Sequence, residues 1–249
     1  MQVTFLGTGS AMPTGERVQT GLLVESDGPP LLVDCGSGVL HRLAGTGTGY
    51  EAVDHVLLTH HHLDHVSDLL ALLKAKWLAG SEQLHVAGPP GTRGLLGDLL
   101  GVHEYLQDHV DLSVEEFAVA DAPFEFAGYD VDAVGTVHSM PCHAYRIDRG
   151  GPAFTFSGDT EATEAVADLA DGSAVLVHDC SFPDSVDVSN HPTPSQLGAV
   201  LAGRTFGTVF LTHLYPHTDG EHAGMLESIA ERYDGDVRFA REGATVPVE

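Results

Sequence analysis

Short apolar runs alternate with amphipathic stretches along the whole chain, and this alternation predicts strands interleaved with helices. Val56-Leu57-Leu58 is an uninterrupted apolar run, which is typical of a strand that is buried on both faces. Residues 67–78 repeat apolar side chains at helical spacing, so we predict a helix there with Ser67 as its N-cap. The remaining predicted strands span residues 3–6, 22–24, 31–33, 84–87, 114–119, 124–126, 129–137, 144–147, 154–156, 174–177, 209–211 and 237–240. The remaining predicted helices span residues 161–169, 194–202 and 222–232.

The order of these elements predicts an α/β protein in which two mixed β-sheets lie between outer helices, an αββα sandwich. No stretch rich in Pro, Gly or Ser is long enough to form a linker, and no internal repeat is visible. The densest glycine run, residues 45–49, is interpreted as a surface loop. We therefore predict a single domain over residues 1–249.

The charge of the chain is unusually negative. Its 36 acidic residues against 11 basic ones give a formal net charge of −25. Such a charge repels nucleic-acid backbones in dilute salt. The alternative explanation is adaptation to a high-salt cytoplasm, where charges are screened over about 3 Å at molar salt. We favour this adaptation, because the acidic residues are spread along the whole chain and Lys74 and Lys76 are the only lysines.

The N-terminal residues Met1-Gln2-Val3 start no basic leader, and no apolar segment approaches the roughly 18 residues that cross a bilayer. The three cysteines, Cys35, Cys142 and Cys180, are an odd number without CxxC spacing, so we expect reduced thiols. These features predict a cytoplasmic protein with no membrane partner. The sequence does not fix the oligomeric state, and a homodimer stays open.

Histidine and aspartate side chains follow the predicted strands one after another. The residues at these positions are His60, His138, Asp159, His178, Asp179 and His213. Side chains at successive strand ends can converge on one edge of a sandwich, as ligand sites of α/β sheets do. We therefore expect one polar site to be assembled from distant parts of the chain.

The densest of these clusters is the stretch from Thr59 to His65, which holds four histidines and an aspartate in seven positions. In an extended turn, residues two apart point the same way, so His60 and His62 can hold one metal ion. Asp64 and His65 begin the next turn and can reach a second ion. Imidazole and carboxylate ligands suit zinc, and less exclusively manganese or iron. His61 has the opposite orientation and should point away.

The spacing of these residues resembles the HxHxDH signature of the metallo-β-lactamase superfamily. The resemblance continues along the chain, through "FLGTGSAMP" and "LLVDCGSG" near the start. Later, "VHSMPCHAYRI", "FSGDT", "LVHDCSF", "HPTPSQ" and "LTHLYP" resemble, in order, the motifs of the ribonuclease Z branch, with its short-form relatives as the nearest match. The resemblance implies the metallo-β-lactamase fold, in which two mixed sheets are flanked by helices.

The resemblance also implies a set of ligands for two metal ions, most simply two Zn²⁺, with Mn²⁺ or Fe as alternatives. The first ion would be held by His60, His62 and His138, and the second by Asp64, His65 and His213, with Asp159 bridging them. His143 and His217 lie near two of these positions. His138 and His143 face opposite sides of an extended chain, and the motif favours His138. His213 is preferred to His217 because it stands at the end of its strand.

Two further residues gain a catalytic assignment from the resemblance. "VHDCSF" is similar to the family's HEAT stretch and "HPTPSQ" to its HST stretch, in which a glutamate orients a histidine that protonates the leaving oxygen. The corresponding residues are Asp179 and His191. Asp179 is one methylene shorter than glutamate, so the sequence leaves open whether it reaches His191. Asp64 is also expected to be essential for turnover.

Two ions about 3.5 to 4 Å apart lower the pKa of a bridging water towards ~7 and suit in-line hydrolysis of a phosphodiester. The resemblance of "HPTPSQ" and "VHDCSF" to stretches that lactonases and thioesterases of the superfamily are not expected to share favours a binuclear metal-dependent phosphodiesterase that acts on small or cyclic phosphodiesters, and we predict this function. The alternatives are a tRNA 3′-end endonuclease, a lactone, thioester or β-lactam hydrolase, and a module with structural metals. We expect tRNA not to be a partner, because only twenty residues separate His138 from Asp159, where the tRNA-binding arm of ribonuclease Z is inserted. Complete ligation with a bridge argues against a structural site.

Overall fold

The computed structural model describes residues 1–81 and 83–249. The strands are β1 (Gln2–Gly7), β2 (Gly21–Glu25), β3 (Leu31–Val33), β4 (His55–Leu57), β5 (Gln83–Gly88), β6 (Asp111–Glu116), β7 (Phe124–Phe126), β8 (Tyr129–Gly135), β9 (His143–Asp148), β10 (Phe154–Phe156), β11 (Val175–Asp179), β12 (Thr208–Thr212), β13 (Val237–Phe239) and β14 (Thr245–Pro247). The helices are α1 (Val39–Ala44), α2 (Leu63–Val66), α3 (Leu69–Ala79), α4 (Thr92–Val102), α5 (Glu164–Ala170), α6 (Pro194–Leu201) and α7 (His222–Ala230).

The strands form two seven-stranded mixed sheets. The order is β14-β1-β2-β3-β4-β5-β6 in the first sheet and β13-β12-β11-β10-β9-β8-β7 in the second. Each sheet combines antiparallel neighbours with a run of parallel neighbours, β3 to β6 in the first and β10 to β13 in the second. The predicted αββα sandwich of two mixed sheets is therefore confirmed.

Strands near the middle of each sheet, such as β3, β10 and β11, are buried on both faces, which explains why they are apolar without alternation, whereas β8 near the edge of its sheet alternates buried and exposed residues. In β2, Leu22 and Val24 contribute to the core between the sheets, whereas Leu23 packs on the other side against the helices. The core between the sheets is built around Phe5, Tyr145 and Phe156. Two outer cores cover the remaining faces, one under α1 and α3 and the other under α6 and α7. Among the described residues, no helix is long and apolar enough to cross a membrane.

The predicted N-cap at Ser67 is wrong. Two helices replace the single one that was predicted, because a four-residue turn, α2, ends at Val66 before α3 begins at Leu69. The Ser67 hydroxyl donates a hydrogen bond back to the carbonyl of Leu63, so it belongs to the end of α2. Asp68 precedes α3, and its carboxylate accepts hydrogen bonds from the backbone N–H groups of Gly38 and Leu40 at 2.8 and 3.0 Å.

Three elements carry no clear signal in the sequence: α1, α4 and β14. Helix α4 contains Gly94, Gly97 and Gly101. Each glycine within a helix costs roughly 1 kcal/mol relative to alanine, so propensity argues against this helix. It forms because Leu96 is buried in the outer core beside α3. Tertiary packing therefore decides an element that local preference leaves undetermined.

Candidate metal centre and proton donor

The candidate site lies where parallel strands of both sheets end. Val33 of β3 pairs with Leu57 of β4, and the chain continues from these strands to Asp34 and His60. In the second sheet, Asp179 closes β11 opposite Thr212 of β12, which precedes His213. Backbones that run in parallel expose their following loops at one edge. With the exception of His178, the polar side chains predicted from the strand ends therefore do meet.

Four side chains form the first cluster: His60, His62, His138 and Asp159. One ligand atom from each lies within 4.8 Å of all the others. Nδ1 of His62 is 3.1 Å from Nε2 of His60 and 3.0 Å from Nε2 of His138. His62 is only half-buried, so this cluster is accessible from solvent.

The second cluster comprises Asp64, His65, Asp159 and His213, and all four side chains are buried. Nε2 of His213 is 3.1 Å from Oδ2 of Asp64, and Nε2 of His65 is 3.3 Å from Oδ1 of Asp159. Asp159 belongs to both clusters. Its carboxylate is therefore placed to bridge two ions.

The residues fit a pair of metal ions. Nε2 of His65 and Oδ1 of Asp159 are buried and lie 3.3 Å apart, but they do not form a hydrogen bond with each other, and neither has another partner in the part of the chain that the structure describes. Buried polar atoms are otherwise paired, since an unpaired one costs about 1–3 kcal/mol. Three imidazole nitrogens also converge in the first cluster, where too few protons are available to satisfy all of them. Ions at the two clusters would satisfy these atoms.

The second nitrogen of each ligand imidazole is held by a neighbour. Nδ1 of His65 is 2.7 Å from Oδ2 of Asp34, and Nδ1 of His138 is 3.2 Å from the carbonyl of Asn190. Nδ1 of His213 is 2.9 Å from Oγ of Ser181. Such contacts fix the tautomer and orient the other nitrogen towards a metal.

The pKa shifts of His60, Asp159 and Asp64 favour the forms that bind metals, whereas His65 is shifted the other way: burial acts to lower its pKa, but the charges of Asp159 and Asp34 outweigh it and raise that pKa well above the usual value. Burial lowers the pKa of His60 well below its usual value, which keeps the imidazole neutral. Burial acts to raise the pKa of Asp159, but the imidazoles of His213, His65 and His60 outweigh it and lower that pKa well below the usual range. The pKa of Asp64 is also lowered despite burial, chiefly by the hydrogen bond from His213. The carboxylates of Asp159 and Asp64 are therefore charged, and the neutral His60 ring has a lone pair available for a metal ion.

The backbone at the site adopts rare conformations. Asp34, Asn190 and His213 have positive φ angles of 60°, 68° and 58°. Non-glycine residues reach this region only when the surroundings hold them there, and such residues concentrate at functional sites. Gly158, before Asp159, has a φ of +57°, and a Cβ at this position would lie 2.8 Å from the carbonyl of His143. Only glycine fits here.

His191 and Asp179 form a buried pair beside the second cluster. Nδ1 of His191 lies 2.7 Å from Oδ2 of Asp179, so the shorter aspartate does reach the histidine. Burial acts to lower the pKa of His191, but the charge and hydrogen bond of Asp179 outweigh it and raise the pKa to about 9. The His191 ring stacks on that of His213 at a centroid distance of 5.2 Å. Asp179 therefore favours the protonated form of His191 next to the candidate metal centre.

Besides His191, four histidines named in the sequence analysis lie outside both clusters. His61 points away, as predicted, with Nε2 2.8 Å from Oγ1 of Thr92. Nδ1 of His143 is 3.3 Å from the Tyr145 hydroxyl, and His217 packs against the ring of Phe182. His178 lies within β11 and not after its end. Its Nδ1 bonds to the backbone carbonyl of Asp179. His178 was expected among the converging strand-end residues, and this expectation is wrong, because neighbouring residues of a strand face opposite sides.

Three contacts of the site were missed from the sequence: Asp34, Ser181 and the carbonyl of Asn190. Asp34 directly follows the predicted strand 31–33, as the candidate ligands follow their strands, so the sequence did contain a signal for Asp34. The sequence contained no such signal for Ser181 or Asn190, because a loop serine and a backbone carbonyl do not by residue type indicate a functional site. Their contacts also join residues far apart in the chain.

Comparison with known proteins gives three kinds of match. The family model described as "Anti-Pycsar protein Apyc1" matches residues 1–243. A protein named Ribonuclease Z from Mycobacterium avium (strain 104) is 32% identical over 242 residues, which cover 87% of this chain and 86% of that protein. The crystal structure of the metallo-β-lactamase fold protein YhfI from Bacillus subtilis covers 99% of both chains with a TM-score of 0.85 and 25% identity.

A protein named Ribonuclease Z from Haloferax volcanii is 27% identical over 303 residues, covering 100% of this chain and 95% of that protein. The aligned length exceeds the 249 residues of this chain. That relative therefore contains sequence with no counterpart here.

Proposed function

The chain belongs to the family described as Anti-Pycsar protein Apyc1, within the metallo-β-lactamase superfamily, and from this premise we propose that it is a phosphodiesterase acting on small or cyclic phosphodiesters. The family and fold predicted from the sequence are confirmed by these matches. Membership also makes the chain a metal-dependent hydrolase of the ribonuclease Z-like group. We propose, in addition, the substrate, the identity of the metal and the role of each site residue in turnover.

The observation that carries the proposal is the contact of His191 with Asp179 beside the two clusters. Nδ1 of His191 is occupied by Asp179, so Nε2 is the atom that can give a proton to a substrate. Departing alkoxides need such a proton, because they are strong bases. A histidine held protonated at this position favours cleavage of esters with poor leaving groups, among them alkyl and nucleoside phosphodiesters.

We assign His60, His62 and His138 to the first ion, Asp64, His65 and His213 to the second, and Asp159 to both. When bound, two zinc ions would lower the pKa of a water between them and offset negative charge that grows on a phosphoryl group. Manganese or iron fits the same nitrogen and oxygen donors. The rest of the reaction depends on the chain: the clusters fix the position of the phosphoryl group, and His191 protonates the leaving oxygen.

A small substrate is supported by what the chain lacks. In the described residues, β9 and β10 are joined by residues 149–153 alone, in the region where ribonuclease Z is expected to carry its tRNA-binding arm. The Haloferax volcanii relative is longer than this chain. The net charge of −25 also opposes binding of a long polyanion in dilute salt.

A tRNA 3′-processing endonuclease is the second candidate, because relatives from Mycobacterium avium and Haloferax volcanii bear the name Ribonuclease Z. The same metals and the same proton donor would serve that reaction. The two candidates differ in how the substrate is held, and only a surface outside the metal centre could bind the body of a tRNA. A lactone or thioester hydrolase stays third, since such hydrolases of the superfamily are not expected to share the HPTPSQ and VHDCSF stretches that supply His191 and Asp179.

The experiment is a substrate panel on one preparation of measured metal content. Bis(p-nitrophenyl) phosphate, a cyclic nucleotide, a lactone and a pre-tRNA are compared at low and molar salt. We expect hydrolysis of the two small phosphodiesters and little turnover of the others. Faster turnover of the lactone than of both small phosphodiesters would refute the proposal.

A further inference from the structure

The hydroxyl of Ser181 lies between the second metal cluster and the His191–Asp179 pair. Its Oγ is 2.5 Å from Oδ1 of Asp179 and 2.9 Å from Nδ1 of His213. It is also 3.4 Å from Nδ1 of His191. Ser181 is fully buried, so water does not compete for these contacts.

The number of available protons fixes the direction of these hydrogen bonds. If Nε2 of His213 faces a metal, its neutral ring carries the proton on Nδ1, which donates to Oγ of Ser181. The serine hydroxyl has one proton to donate. The carbonyl of His213, at 2.9 Å, and Oδ1 of Asp179, at 2.5 Å, compete for it. The carboxylate is the closer acceptor and carries charge, so it takes the proton.

The second oxygen of Asp179 is then directed at His191. Oδ2 accepts hydrogen bonds from Nδ1 of His191 at 2.7 Å and from the backbone N–H of Thr160 at 3.3 Å. Ser181 holds Oδ1, which prevents the carboxylate from rotating about its Cβ–Cγ bond. The result is a continuous chain of contacts from His213 through Ser181 and Asp179 to His191.

We propose that Ser181 is a positioning residue that joins the metal ligand His213 to the proton donor His191 through Asp179. The inference rests on the proposed function and deepens it. A water that has released one proton to solvent attacks as hydroxide: its oxygen bonds to phosphorus and keeps its remaining proton, while the bond from phosphorus to the leaving oxygen breaks and its electron pair stays on that oxygen. The leaving oxygen takes the proton from Nε2 of His191. Ser181 transfers no proton itself, but keeps the donor at a fixed distance from the ligand that locates the phosphoryl group.

The test compares Ser181→Ala and Ser181→Thr with Ser173→Ala as a matched control. Ser173 is equally buried, and its hydroxyl contacts Thr155 at 2.7 Å and Arg146 at 2.8 Å, away from both clusters. It therefore reports the stability cost of deleting a buried hydroxyl. Metal content and thermal unfolding are measured for all three variants.

We expect Ser181→Ala to lower turnover of an alkyl phosphodiester about 10- to 100-fold, the usual range for groups that support a metal site. Turnover of bis(p-nitrophenyl) phosphate should fall much less, because nitrophenolate departs without a proton. Ser181→Thr keeps the hydroxyl, so the ratio of its turnover rates on the two esters should stay at the wild-type value. Ser173→Ala should leave the turnover of both esters unchanged.

A second readout is independent of activity. In zinc-loaded protein with ¹⁵N-labelled histidine, the Nδ1–H proton of His191 should give a slowly exchanging NMR signal, which Ser181→Ala broadens or removes. An unchanged signal together with equal losses on both esters would overturn the proposal. If the wild-type protein hydrolyses no phosphodiester, the proposed function fails, and the NMR comparison still decides whether Ser181 positions the pair.

Discussion

Nδ1 of His191 is 2.7 Å from Oδ2 of Asp179, although Asp179 is one methylene shorter than the glutamate expected from the resemblance. Strand β11 extends through Asp179, which places its carboxylate inside the molecule. Ser181 and the backbone of Thr160 then hold the carboxylate. The shorter side chain is therefore compensated by its position.

Replacing His191 by alanine should affect substrates according to their leaving groups. Loss of a general acid costs on the order of 10²–10⁴ in turnover for an alkyl or nucleoside diester, whereas an activated nitrophenolate hardly needs the proton. The measurement is kcat on both ester types at equal metal content. Equal losses on both, or a loss of metal, would assign His191 to the structure of the site.

The pH dependence should follow the protonated form of His191. Its pKa of about 9 lies above the usual value, so the acid form is complete at neutral pH and is lost as the pH rises through about 9. We expect turnover of an alkyl diester to fall over that range. In Asp179→Asn the neutral amide no longer stabilises the imidazolium, so the fall should begin at lower pH. The pH profile with bis(p-nitrophenyl) phosphate is the control, and a fall of equal size there would contradict the assignment.

The convergence of the candidate ligands could be predicted from the sequence because each of them follows an apolar strand or belongs to one short motif, while their role as metal ligands stays a prediction. His60, His62, Asp64 and His65 lie within six residues, so local geometry is enough to group them. His217 is equally suitable by residue type, and the prediction of the more distant His213 used the family resemblance together with its position at the end of its strand.

The supporting contacts could not be predicted, because they depend on how distant segments pack. Asp34 and His65 are 31 positions apart, and the loop of Asn190 meets His138 across 52 positions. Helix α4 was missed for a related reason: its glycines oppose a helix locally, and only burial of Leu96 against the outer core favours it. Long-range packing therefore supplies the information that residue type and spacing lack.

Two equivalents of metal should copurify with the protein, and chelation should destabilise it. A ligand that binds only the folded state at 1,000 times its Kd adds about 4 kcal/mol. For a chain of this size, that corresponds to a Tm lower by about 10 °C after chelation. Metal analysis and thermal unfolding check this, with readdition of zinc as the control. One equivalent or fewer in chelator-free preparations would argue against the bridged pair.

Asp64→Ala and His62→Ala should each abolish turnover and leave the folded core intact. Both side chains lie at the sheet edge, outside the three apolar clusters. Circular dichroism and activity on bis(p-nitrophenyl) phosphate measure the two effects separately. A variant that is wholly unfolded would identify its metal as structural.

Asp34→Asn should weaken metal binding without removing a ligand. The carboxylate of Asp34 contacts Nδ1 of His65 at 2.7 Å and also accepts hydrogen bonds from the backbone and hydroxyl of Thr59, both at 2.8 Å. An amide is a poorer acceptor for the His65 ring, and such changes cost about 10- to 100-fold in metal affinity. Competition with a chromophoric chelator measures the affinity. Asp132→Asn, at an exposed position in β8, is the matched control. Equal affinities in the two variants would exclude this contribution of Asp34.

Pre-tRNA should be cleaved poorly even where the charge of the chain no longer repels it. In dilute salt the net charge of −25 opposes binding, so a negative result there does not isolate the effect of the short connection between β9 and β10. At molar salt the repulsion is screened over about 3 Å, and only the lack of a tRNA-binding surface remains. The Ribonuclease Z from Haloferax volcanii, which carries sequence absent here, is the positive control in the same buffer. We expect the control to cleave pre-tRNA at the 3′ end and this protein to hydrolyse only the small diesters. Efficient cleavage at one 3′ position by this protein would make tRNA processing the better assignment, since it would show that the short connection between β9 and β10 is enough to hold the substrate.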